Sequence, residues 1–178
     1  MSIWTQGESM FRYMHRHLLS DITFDFDHVE EIKRRVKKWT KNFRYTIEVK
    51  YGISRIVFIF PVYVIKVVLG KGNENDYEIE LYQQAFFDGY DYLFAEVHQR
   101  CVDGIKINIM PRITNIDING PDLFCSNYID DDEKWWLNVH VTDLHAGNYG
   151  FDNHGNVKIF DYAMVYSEEE EEEDEEAE

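Results

Sequence analysis

The sequence has few cysteines, few prolines and no long apolar run, and each shortage excludes something. Cys101 and Cys125 are its two cysteines and they form no C-x-x-C motif, so a reduced, cytoplasmic setting is the simplest expectation. No stretch approaches the roughly eighteen apolar residues of a membrane helix. The longest candidate, residues 56–69, is broken by Pro61 and Lys66. The first nine residues are polar and lack an apolar core, so no secretory signal is expected. There is no internal repeat, and no Ser-His-Asp or Cys-His set is readable from residue order. What is present is core material. Hydrophobic residues make up 44% of the 178 positions and aromatics 16%, which excludes a disordered chain for most of the length.

Charge is one-sided and concentrated. The net charge is −16, but ten of the 34 acids lie in residues 168–178, and without them 24 acids face 18 bases for a net −6. The tail, residues 167–178, is a like-charge block expected to stay disordered. It reads either as a solubilising tail or as a lure for a basic partner, such as a nucleic-acid enzyme whose groove attracts polyanions. Direct nucleic-acid binding is not expected, because phosphate contacts need Lys and Arg. One basic patch exists: Lys33, Arg34, Arg35, Lys37, Lys38 and Lys41. It is either a solvated helix face or a dock for an acidic partner.

The hydrophobic period changes along the chain. Residues 7–19 read as a helix with Met10, Tyr13, Met14 and Leu18 as its stripe, and residues 28–41 as a second with Val29, Ile32, Val36 and Trp39. Alternation then predicts strands at 45–49, 56–60 and 62–69, with a turn at 51–54 and Pro61 ending the second strand. Gly70, Gly72, Asn73 and Asn75 mark a loop. Residues 76–87 read as a helix with Tyr77, Leu81, Tyr82 and Ala85 on its apolar side. Strands at 94–102 and 105–109 flank Asp103-Gly104, a tight-hairpin signal. Residues 111–122 read as a linker, and Trp135, Trp136, Leu137 and Val139 as a short helix or its exit. The fold class expected is α+β, an antiparallel sheet carrying a helix.

The chemistry concentrates in the segment from Asp143-Leu144-His145-Ala146-Gly147-Asn148 to Val157-Lys158-Ile159-Phe160-Asp161. Asp152-Asn153-His154-Gly155-Asn156 between them reads as a hairpin turn that folds Asp161 back towards Asn148. Three oxygen-bearing side chains then converge. Phosphoryl transfer needs such a set: a carboxylate to orient the attacking hydroxyl, and an amide oxygen and a second carboxylate to hold Mg²⁺. His140, Asp143 and His145 also invite a zinc reading, but that leaves Gly147-Asn148 unexplained. His145 reads instead as a loop-packing residue bonded to the backbone.

D-L-H-x-G-N, a hairpin, then V-K-I-F-D-Y-A resembles the catalytic loop and metal-binding segment of the protein-kinase-like superfamily. The D-x-H-x-G-N form is closer to its aminoglycoside- and choline-kinase-like branches than to the H-R-D form. Val62-Tyr63-Val64-Ile65-Lys66-Val67 resembles the strand that carries the nucleotide lysine. Within the superfamily the chain most resembles the early serine/threonine kinases of T7-like phages, over residues 45–166. The resemblance implies ATP and Mg²⁺ as cofactors, with Asp143 as catalytic base and Lys66 on the nucleotide phosphates. It implies Glu78 or Glu80 as the partner of Lys66, Asn148 and Asp161 as Mg²⁺ ligands, and Met110 in the hinge, residues 110–114, that receives adenine. Gly52 alone stands in the turn where a G-x-G-x-x-G loop is usual.

The organisation expected is therefore an N-terminal helical extension (1–44), a kinase-like N-lobe (45–114), a much reduced C-lobe (115–166) and the acidic tail. Two functions are expected from it. One is Mg-ATP-dependent phosphotransfer to Ser/Thr of host proteins in the cytoplasm of a phage-infected cell. The other is a catalytically degenerate kinase fold that inhibits a host nucleic-acid enzyme or defence system by acidic charge mimicry. Neither involves a membrane.

Overall fold

A computed structural model describes residues 2–41, 46–114, 122–141, 144–152 and 154–162. Asp143, Tyr45, Asn153, most of the 111–122 linker and the acidic tail lie outside the described residues. Within them the architecture is α+β: four α-helices, a five-stranded antiparallel sheet and a separate two-stranded hairpin. The helices are α1 (Ile3–Met14), α2 (Val29–Thr40), α3 (Glu74–Asp88) and α4 (Asp131–His140). The sheet strands are β1 (Glu48–Tyr51), β2 (Arg55–Ile59), β3 (Tyr63–Val68), β4 (His98–Val102) and β5 (Ile105–Pro111). The hairpin is β6 (Tyr149–Phe151) with β7 (Val157–Ile159). The sheet order is β1-β2-β3-β5-β4, so β3 is central.

The period-2 alternation of β2, β3 and β5 sorts side chains to two faces. Ile56, Phe58, Ile65, Val67, Ile107 and Ile109 point to one face and are buried beneath α1 and α2 with Phe11, Met14, Ile32 and Val36. The helical extension thus shares a core with the sheet. The opposite face carries a polar stripe, Arg55, Lys66 and Asn108, and then Met110. It is covered by α3 and the β6–β7 hairpin, whose core includes Phe94, Trp136, Leu137, Tyr149, Ile159 and Tyr162.

Several boundaries differ from the sequence expectation. α1 begins at Ile3 rather than 7, because the Ser2 side chain accepts the Thr5 N–H and caps it. Its buried stripe is Gly7, Phe11 and Met14, while Tyr13 faces outward, and it runs on into a π-helical turn, His15–Leu19. β1 lies at 48–51, later than the expected 45–49. Residues 94–97 are not strand. The Ala95 N–H donates to the Ile159 carbonyl (2.7 Å), so this segment is drawn to the C-terminal hairpin and β4 starts at His98. Asn75, expected in a loop, lies in α3 and is buried, and Pro111 still belongs to β5. The basic helix α2 is where the sequence places it. Lys33, Arg34 and Arg35, half of the basic patch, pair with Glu30, Glu31 and Asp21. Asp103 and Gly104 both have positive φ, 51° and 86°, and close the β4–β5 hairpin as the Asp-Gly pair predicts.

Candidate active site

β3 presents Lys66 to the covered face, where the side chain is 5% exposed. Its Nζ donates to Glu78 Oε1 (2.5 Å), to the Phe160 carbonyl (2.5 Å) and to Asp161 Oδ1 (3.4 Å). Glu78 stands one helical turn into α3 and is fully buried. Glu80 is exposed to solvent and is not the partner of Lys66. α3 can bury Glu78 because its first turns face a polar stripe. Glu74, Asn75 and Glu78 point inward there, and the apolar contacts begin further along, at Ile79, Leu81, Tyr82 and Ala85. Tyr77, expected on the apolar side, is exposed.

Two residues join this cluster without having been expected. The Asn108 amide donates to Glu78 Oε2 (2.9 Å) and to the Asn75 carbonyl (2.8 Å). Asn75 in turn donates to the Lys66 carbonyl (3.1 Å), stitching α3 to the sheet. Arg55, at the start of β2, donates to Glu78 Oε1 (3.0 Å) and to Asp161 Oδ1. A sequence signal for both exists: each is a polar residue at an inward position of an otherwise apolar strand. Val57 pairs with Lys66, so Arg55, two residues before Val57, shares the face of Lys66. Two cations thus face two carboxylates, which is how buried charge is tolerated. Burial alone would raise the Asp161 carboxyl, but Lys66 and then Arg55 outweigh it and hold it below the ordinary carboxylate value. Burial would likewise lower the Arg55 guanidinium, and Glu78 and Asp161 reverse this. The Tyr162 hydroxyl is pushed well up, by burial first and then by Glu78.

The hairpin brings Asn148 and Asp161 together as the sequence predicts. The Asn148 carbonyl accepts the N–H of Phe160 (2.9 Å) and of Asp161 (3.4 Å). His145 packs in the preceding loop: its Nδ1 accepts the Gly147 N–H (2.9 Å), and a Cβ on Gly147 would come within 2.7 Å of the His145 ring. Asp143, the expected base, lies outside the described residues. Two nucleotide-side expectations change. Gly52 is exposed in a short turn and its N–H donates to the Arg55 carbonyl (2.9 Å), so that donor closes the turn instead of cradling a phosphate. The Met110 side chain is fully buried in the second core and its backbone sits in β5 opposite Val64, so the connection after the sheet begins beyond Pro111. A cavity of about 390 Å³ lies nearby, lined by Phe94, Glu96, Arg112, Ile113 and Lys158, and shares no residue with the Lys66 cluster.

Among the described residues no group of three His, Cys, Asp or Glu is placed to hold a metal ion, and Asp143 of the zinc set lies outside them. The oxygen donors of Asn148 and Asp161 fit Mg²⁺, which prefers carboxylate and carbonyl ligands with water, and the Asp161 side chain is 47% exposed and reachable. Lys66 and Arg55 beside them fit phosphate oxygens.

No protein-family model matches the chain. No curated protein matches it either. The reading of the site therefore rests on its own residues. Among the described residues no helix is long and apolar enough to cross a membrane.

Proposed function

We propose that the chain is a Mg-ATP-dependent phosphotransferase with a minimal kinase-like fold, acting as a serine/threonine protein kinase on host proteins of a phage-infected cell. The observation that carries this reading is the 2.5 Å pair of Lys66 on the third strand and Glu78 on the following helix, with Asp161 alongside. That strand-lysine, helix-glutamate and metal-binding aspartate must be in place together for kinase phosphotransfer. Lys66 would hold the nucleotide phosphates with Glu78 orienting it, and Asn148 and Asp161 would be the residues to hold Mg²⁺. The ion supplies charge neutralisation to the transferring phosphoryl group. Asp143 would orient the acceptor hydroxyl.

The deciding experiment is transfer of labelled γ-phosphate from Mg-ATP, with wild type and Asp161→Ala each incubated alone and with a bacterial lysate. Label that requires Asp161, with both proteins folded, is the expected outcome. A folded wild type that neither transfers label nor binds ATP would move the assignment to the second reading, a kinase-fold binding module directed at a host nucleic-acid enzyme or defence system. The short turn at 52–54, which leaves no glycine-rich loop over the phosphates, is the observation that favours that alternative.

A further inference from the structure

We propose that Arg55 is a phosphate-binding residue that replaces the absent glycine-rich loop. This inference rests on the Mg-ATP reading above and adds a group to that site. Arg55 directly follows the turn at 52–54, so it stands at the base of the segment from which a phosphate-gripping loop would project. Register places it on the same face as Lys66. Its side chain is 9% exposed and reaches inward to the site rather than out to solvent. Glu78 Oε1 accepts from both Lys66 (2.5 Å) and Arg55 (3.0 Å), so one carboxylate orients two cations. The three N–H groups of Lys66 already meet Glu78, Phe160 and Asp161. A guanidinium carries five donors in a planar fork that matches phosphate oxygens in pairs, so Arg55 has donors beyond those that meet Glu78 and Asp161 and can add to what Lys66 offers.

Charge balance gives the exchange its direction. Without nucleotide, Arg55 and Lys66 are neutralised by Glu78 and Asp161. A magnesium–polyphosphate carries net negative charge overall, and its cation is the natural partner of the Asp161 carboxylate. Arg55 then gives up Asp161, keeps Glu78 and turns its remaining donors to the phosphate oxygens. The mouth of the site is thereby closed by a side chain where a longer loop would close it with backbone.

The test is calorimetric titration of the full-length protein with Mg-ATP and, separately, with adenosine, using wild type, Arg55→Gln and Arg55→Lys. Arg55→Gln is expected to bind Mg-ATP about tenfold to a hundredfold more weakly, the range for one charge-assisted hydrogen bond, with adenosine binding unchanged. Arg55→Lys keeps a cation beside Glu78 and Asp161 and should recover part of the loss. If Arg55→Gln does not fold, Arg55→Lys decides by the same contrast between the two ligands. Variants that bind Mg-ATP as tightly as a phosphate-transferring wild type overturn the proposal and leave Arg55 as a counter-ion of Asp161. A wild type that binds no Mg-ATP overturns it together with the nucleotide reading.

Discussion

Glu78 is bonded to Lys66, Arg55 and Asn108 at once, with no exposed surface. Removing it leaves two buried cations with Asp161 as the one remaining carboxylate of the cluster, and losing one partner of a buried pair costs about 3–5 kcal/mol. Glu80, two residues on, is exposed, and Glu80→Ala should change stability by less than about 0.5 kcal/mol. Urea unfolding of Glu78→Ala and Glu80→Ala measures the contrast directly, and equal midpoints would contradict the placement of Glu78. The sequence narrows the partner of Lys66 to these two acids and no further. The choice depends on the rotation of α3 about its axis, set by what its first turns pack against, a stripe of Lys66 and Asn108 not recognisable as a stripe until β3 and β5 are paired. Arg55 escapes notice for the same reason. At the start of a strand it resembles an edge residue, and only the pairing of Val57 with Lys66 turns it inward. Lys66 itself, Asn148 and Asp161 are legible because the hairpin between the last two is short and local, and the Asn148 carbonyl does receive the Asp161 N–H.

At the scale of elements, local signals carry most of the reading, and long-range contacts account for the misses. The Asp103-Gly104 turn is legible from two residues, since both adopt the positive φ that such a hairpin demands. Its second role is not. Asp103 also accepts from Arg16 (3.0 and 3.1 Å) and lies 3.3 Å from His15, so the hairpin tip is tied to the turn after α1. The sequence reading begins α1 at residue 7, whereas the helix starts at Ile3 and runs through Gly7. That glycine is needed where the helix crosses the sheet, for a Cβ there would stand 2.9 Å from Ile109. The Asp103 tie has a pH signature. Hydrogen bonding from Arg16 is the largest influence, followed by an opposing desolvation and the bond with His15, and the carboxyl is held at about 2 against an ordinary value of 3.8. A depressed carboxylate adds stability that is complete above its unfolded value and is lost as pH falls through its folded one. Wild type should therefore melt higher than Asp103→Asn above pH 3.8, and the two curves should converge as pH approaches 2. A gap that persists unchanged to the lowest pH would mean that the tie does not depend on the carboxylate charge.

On the scale of the whole molecule, the sheet separates two jobs. Its apolar face is sealed by α1 and α2, and its polar face holds the Lys66 cluster beneath α3 and the hairpin. Residues 168–178 lie outside the described residues, and their ten acids take the net charge from −6 to −16. Deleting them should leave the unfolding midpoint and phosphate transfer unchanged, because the cluster is locally neutral and the Debye length is about 8 Å at physiological salt. The binding-module reading makes the opposite demand. A polyanion that lures a basic partner acts through long-range attraction, which deletion removes and added salt screens. Capture of partners from a bacterial lysate, by full-length and truncated protein at low and high salt, therefore separates the two. Under that reading the full-length protein captures more at low salt and falls to the level of the truncated one as salt rises. Capture that responds to neither change, alongside transfer that survives truncation, would remove charge mimicry from consideration and leave the Lys66 cluster as the functional centre of the chain.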